Sequence, residues 1–99
     1  MKIEKVIASV FAEIERAETL HPVWPRDVVK ACSLLAEEAG EAVRAANTFD
    51  ETRTGRKDIV TEAIHTAATA IRLLKNIEET EENVGPSGIF VGKTFRTSI

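Results

Sequence analysis

Two clusters of ionisable side chains hold the chemical interest of this chain: Glu37-Glu38-Ala39-Gly40-Glu41 and, further along, Glu62-Ala63-Ile64-His65. On a helix, residues four apart share a face, so Glu37 and Glu41 point the same way; Glu62 and His65, three apart, nearly do. Like charges at such spacing destabilise a helix by roughly a few tenths of a kcal/mol, which a divalent cation would offset. Carboxylate oxygens suit Mg²⁺ or Mn²⁺, and a cation held between two helices can offer open coordination positions to phosphate oxygens. Such an arrangement would permit phosphoanhydride hydrolysis, among other chemistries, with the cation aligning a polyphosphate while a carboxylate outside the ligand set takes a proton from water. The competing reading is a solvated acidic face. Against it stands the company these glutamates keep, since Leu34, Leu35, Ala36, Ala39, Ala42 and Val43 surround them.

Helices must position these groups, and the apolar spacing supplies three. From Lys2 to about Leu20, Ile3, Val6, Ile7, Val10, Phe11 and Ile14 recur at steps of three and four, with Lys2, Glu4, Lys5, Glu13, Glu15 and Arg16 on the other side. His21-Pro22 ends this helix, and Pro25 reopens the chain ahead of a second, from Asp27 to about Phe49. The second helix is apolar over more than one stripe, including Val28, Val29, Cys32, Leu34, Leu35 and Val43. Asp50 to Gly55 reads as a loop, and Lys57 to about Glu79 as a third helix carrying Ile59, Val60, Ile64, Ile71 and Leu74. Gly85-Pro86-Ser87-Gly88 breaks the pattern. The expected organisation is one all-α domain over 1–82 and an extended C-terminal arm over 83–99. Two helices apolar on more than one side leave area uncovered in a monomer, so a homo-oligomer, dimer or tetramer, is expected to complete the bundle through the second and third helices.

The stretches WPRDVVKACSLLAEEAGEAVRAA and DIVTEAIHTAATAIRLL, within Trp24 to Leu74, resemble the MazG-like, all-α nucleoside triphosphate pyrophosphohydrolase superfamily. Its signature is EExxE followed, on the next helix, by ExxD. The resemblance implies an oligomeric helical bundle that uses Mg²⁺ to split (d)NTPs into the monophosphate and pyrophosphate. By position it implies Glu37, Glu41 and Glu62 as metal ligands and Glu38 as the carboxylate that activates the attacking water. His65 stands where the family has its aspartate ligand. Imidazole can bind a metal, but it brings no charge and favours softer divalent ions, Mn²⁺ over Mg²⁺. Asp58, one turn before Glu62, could restore the missing charge.

Weaker candidates surround this set. Lys30, two turns before Glu37, and Arg72 and Lys75, beyond His65, could meet phosphate oxygens or simply face solvent. Trp24 could stack on a base, or cap the core from its connector. Cys32 reads as a buried small hydrophobe rather than a nucleophile. Gly88-x-x-x-Gly92-Lys93-Thr94 has three residues between its glycines where a phosphate-binding loop needs four. Glu62-x-x-His65 is also the spacing of carboxylate-bridged di-iron bundles, although one chain supplies one such pair. A catalytically silent, regulatory member of the pyrophosphohydrolase fold is the remaining alternative, because the aspartate is missing.

Composition narrows the field. Ninety-nine residues, 43% hydrophobic and 29% charged, suffice for one small core. A net charge of −3 argues against general nucleic-acid binding, and the five aromatics, none of them tyrosine, make a poor stacking platform. The single cysteine, the lack of a signal-like opening and the lack of a long apolar run lead us to expect a cytoplasmic protein with no membrane segment.

Overall fold

A computed structural model of the chain describes residues 1–79. They form three helices, α1 (Ile3–Leu20), α2 (Val28–Thr52) and α3 (Arg56–Lys75), followed by a 3₁₀ turn at Ile77–Glu79. The arm expected over 83–99, with its glycine-lysine-threonine stretch, lies outside the described residues. No helix among the described residues is long and apolar enough to cross a membrane.

Local chemistry sets the boundaries. Asp27 is the N-cap of α2 rather than its first residue, its Oδ1 accepting from the Val29 and Lys30 amides at 2.9 and 3.2 Å. At the other end α2 runs through the segment expected to be loop, as far as Thr52. Arg53 stops it in the left-handed region, φ 60°, with its amide bonded to the Phe49 carbonyl. Gly55, φ 87°, completes the reversal. The turn is thus shorter than its polar composition suggested, because Thr52 and Thr54 hydrogen-bond across it and the Arg53 and Arg56 guanidiniums both lie over the Phe49 ring.

Helix α3 is central: it packs against α2 and against α1, which barely touch each other. The fully packed positions are Val10 on α1, Ala31 on α2, and Ala68 and Arg72 on α3. Small side chains at Ala31 and Ala68 let the helices approach closely. Much apolar surface stays uncovered. Ile3, Ile7 and Phe11 form an exposed row on α1, and Val29, Cys32, Ala36, Ala39, Val43 and Ala46 an exposed seam on α2, at alternating steps of three and four. Of the large apolar residues on α3, Ile71 and Leu74 are exposed. Cys32, expected to be buried, is exposed. It sits on this outer seam, a quarter turn or more from the α3-facing stripe that contains Ala31.

Candidate metal centre

The helix pairing brings Glu38 of α2 over Glu62 and His65 of α3, with one donor atom from each within 4.8 Å of the others. Nδ1 of His65 lies 3.4 Å from Glu62 Oε1 and 3.9 Å from Glu38 Oε2. All three side chains are half-buried, with Glu38 and His65 well inside their helices. Burial, above all, pushes the Glu38 carboxyl above the ordinary glutamate value; the His65 ring opposes that rise, and the charges of Glu62, Glu41 and Glu13 add to it. Two carboxylates and an imidazole crowded in this way match the donor set of a divalent cation, with several coordination positions left for water or phosphate oxygens.

Other sequence candidates fall into place around this trio. Glu37 is exposed and lines the adjoining groove, whereas Glu41 is exposed and does not, although its charge is felt at Glu38. Asp58 lies in the first turn of α3, away from the trio. Lys30 is exposed at the start of α2 and is no part of the groove wall. Lys75 is paired with Glu18 of α1 at 2.8 Å, which, through that hydrogen bond, holds the Glu18 carboxyl below the usual range.

The groove holds about 410 Å³ and runs from Glu38 and His65 past Ala68 and Thr69 to Arg72. The seven-residue step from His65 to Arg72 corresponds to about 10 Å along the helix. At that far end Arg72 is buried, 8% exposed; its Nη2 donates to the His21 carbonyl at 2.7 Å and its guanidinium lies 5.1 Å from the centre of the Trp24 ring. Proline residues 22 and 25 bracket that connector, so Trp24 is presented on a short, stiff segment. Its indole Nε1 is buried without a hydrogen-bond partner among the described residues.

Two residues of the site were missed by sequence reasoning. Glu13 and Arg16 of α1 both line the groove, Arg16 donating to Glu13 through Nε and Nη2 at 2.8 and 2.6 Å. The signal was present: Val6, Val10, Glu13 and Ala17 follow the three-and-four spacing of a packed stripe, and a carboxylate on such a stripe needs a reason to be there. Comparison with family models, curated proteins and solved structures returns no match for this chain. The functional reading therefore rests on these side chains and their placement.

Proposed function

We propose that this chain is a metal-dependent nucleoside triphosphate pyrophosphohydrolase of the MazG-like type, releasing a (d)NMP and pyrophosphate. The observation that carries the reading is the meeting of Glu38, Glu62 and His65 at one end of a groove whose other end is walled by Trp24 and Arg72. In this assignment Glu38, Glu62 and His65 hold the cation, and Mn²⁺ serves at least as well as Mg²⁺ because a nitrogen donor has replaced an oxygen. The cation supplies charge neutralisation and a water of lowered pKa. With Glu38 committed as a ligand, the exposed Glu37 on the groove wall is the carboxylate placed to take the proton of that water. Trp24 offers a ring face for a base, and Arg72 holds that ring in place.

Self-association belongs to the same proposal. The exposed seam on α2 alternates at three and four residues like one side of a coiled coil, and its alanines with Gly40 beside them admit a close second helix. A second copy of the chain, contributing the same seam, would cover it. Light scattering should return a multiple of the 10.9 kDa chain mass, and Ala36→Lys should reduce it to one chain.

The deciding assay incubates purified protein with the common NTPs and dNTPs, with Mg²⁺ and with Mn²⁺, and identifies the products. Pyrophosphate with the monophosphate is expected. Orthophosphate would mean that a different bond is cleaved, and no turnover with either metal would leave a silent module. Visible-region absorbance after Fe(II) and air would instead favour the di-iron reading, with a second Glu62-His65 pair from a partner chain.

A further inference from the structure

Three helices meet at His65, but the cation trio draws on only two of them. Helix α1 sends Glu13 to the other edge of the ring, its Oε2 lying 3.6 Å from His65 Nε2, while Nδ1 faces Glu62 and Glu38. The two ring nitrogens therefore keep different company. Glu13 is also the most buried of the three carboxylates, its side chain 14% exposed against 25% and 34% for Glu62 and Glu38, and 29% for His65 itself. Arg16, one turn on, grips both of its oxygens, so that an acceptor held by a guanidinium stands beside Nε2.

We propose that Glu13 is a positioning residue that accepts the Nε2–H of His65 and thereby presents Nδ1 to a cation shared with Glu38 and Glu62. The inference rests on the metal-centre reading above. A neutral imidazole carries one proton and one lone pair, and the hydrogen bond made by one nitrogen decides which is left to bind metal. Metal-ligating histidines almost always donate their second N–H to a carboxylate, a carbonyl or water. With the proton on Nδ1, the Nε2 lone pair would face the oxygen of Glu13. With the proton on Nε2, Glu13 accepts it, and the Nδ1 lone pair joins two carboxylates as donors around one cation. Glu13 itself stands outside the trio, since it reaches the ring from the opposite edge. The 3.6 Å separation lies beyond hydrogen-bond length, so the bond is one that closes when the site is loaded.

The test uses the full chain. Mn²⁺ affinity is measured by calorimetry for the wild type, Glu13→Gln and Glu13→Ala, and nitrogen-15 NMR of the Zn²⁺-loaded wild type reads which His65 nitrogen carries the proton. The expected spectrum shows metal on Nδ1 and a proton on Nε2. Glu13→Ala should weaken Mn²⁺ binding about 10- to 100-fold, and Glu13→Gln, whose amide oxygen can still accept, by less. A purely structural Glu13 would instead lower the melting temperature of the metal-free protein and leave metal affinity unchanged. That result, or Zn²⁺ on Nε2, overturns the proposal while the metal centre stands. A wild type that binds neither ion overturns both, and the NMR arm keeps the test decisive should a Glu13 variant fail to fold.

Discussion

The two ends of the groove are built around polar side chains of the same helix, His65 and Arg72, two turns apart, yet the charges there are met differently. Arg72 has partners on three sides, the His21 carbonyl, the Trp24 ring and Glu18, 3.8 Å from its Nε, although that Nε and the Trp24 Nε1 are buried with no hydrogen-bond partner among the described residues. At His65, carboxylates from three helices surround one imidazole without a direct hydrogen bond among them, and the Arg16 guanidinium is spent on Glu13. Such a contrast separates a charge that the fold balances by itself, the completed end in that sense, from like charges that it leaves for something that binds. A buried charge kept with partners is structural first; like charges held together in a groove store repulsion that a cation relieves.

The largest expected effect lies at the completed end. Arg72→Ala removes a charge-assisted hydrogen bond, the stacking on Trp24 and a buried aliphatic stem, and should cost about 3 kcal/mol of stability in thermal or urea unfolding. Arg72→Lys should restore only part, because an ammonium cannot reproduce the planar contact. A variant that melts like the wild type but has lost nucleotide affinity would break the comparison, making Arg72 a substrate contact.

Next comes the unfinished end. Mn²⁺ at a hundred times its dissociation constant should stabilise the protein by about 2.7 kcal/mol, and chelation should return it to the metal-free value. The increment should survive in Arg72→Ala, since the two ends act separately. Unfolding curves that superimpose with and without Mn²⁺ would show that the acidic end binds no ion. Lys75→Ala should do less: the exposed pair with Glu18 is worth about 0.5 kcal/mol, and raised salt should erase the difference from wild type. A larger loss would extend the completed end outward to the surface.

These two ends were unequally legible in the sequence. Hydrophobic period alone marks all three helices to within a few residues, because α1, α2 and α3 each bury a stripe at steps of three and four. The meeting of Glu62 with His65, and of both with the EExxE stretch, follows from helical spacing and antiparallel pairing. Sequence could not say which of two adjacent glutamates turns inward, since Glu37 and Glu38 differ by about 100° on a helix whose two sides are both apolar. The structure turns Glu38 toward His65 and leaves Glu37 exposed. Glu13 was hidden by its own pairing: with Arg16 three residues on, it looks like a surface ion pair. Arg72 was named as a candidate phosphate contact, but its burial was hidden because it depends on a connector carbonyl 51 positions away.

The smallest predicted effect is the sharpest probe of the contrast, because its sign differs from that of most charge removals. Burial, reinforced by the neighbouring carboxylates, raises the Glu38 carboxyl in the folded chain, so the fold favours its protonated form. Stability from this group is fully present below the ordinary glutamate value and is lost as pH rises through the raised value. Ionising Glu38 in the folded chain carries a cost, so above the raised value Glu38→Gln should stabilise the metal-free protein by roughly a few tenths of a kcal/mol, a size set by solvent screening of a half-exposed group. Lowering the pH below the ordinary glutamate range should close the gap, since Glu38 is then protonated whether the chain is folded or not. Glu13, whose carboxyl Arg16 holds low, should behave oppositely: its contribution is present at neutral pH and lost as pH falls through its lowered value. Glu38→Gln should also abolish the Mn²⁺ increment, giving a protein that is more stable without metal and indifferent to it. Were Glu38→Gln to lower stability at neutral pH, Glu38 would already be a satisfied structural carboxylate, and the acidic end would be as complete as the end built on Arg72.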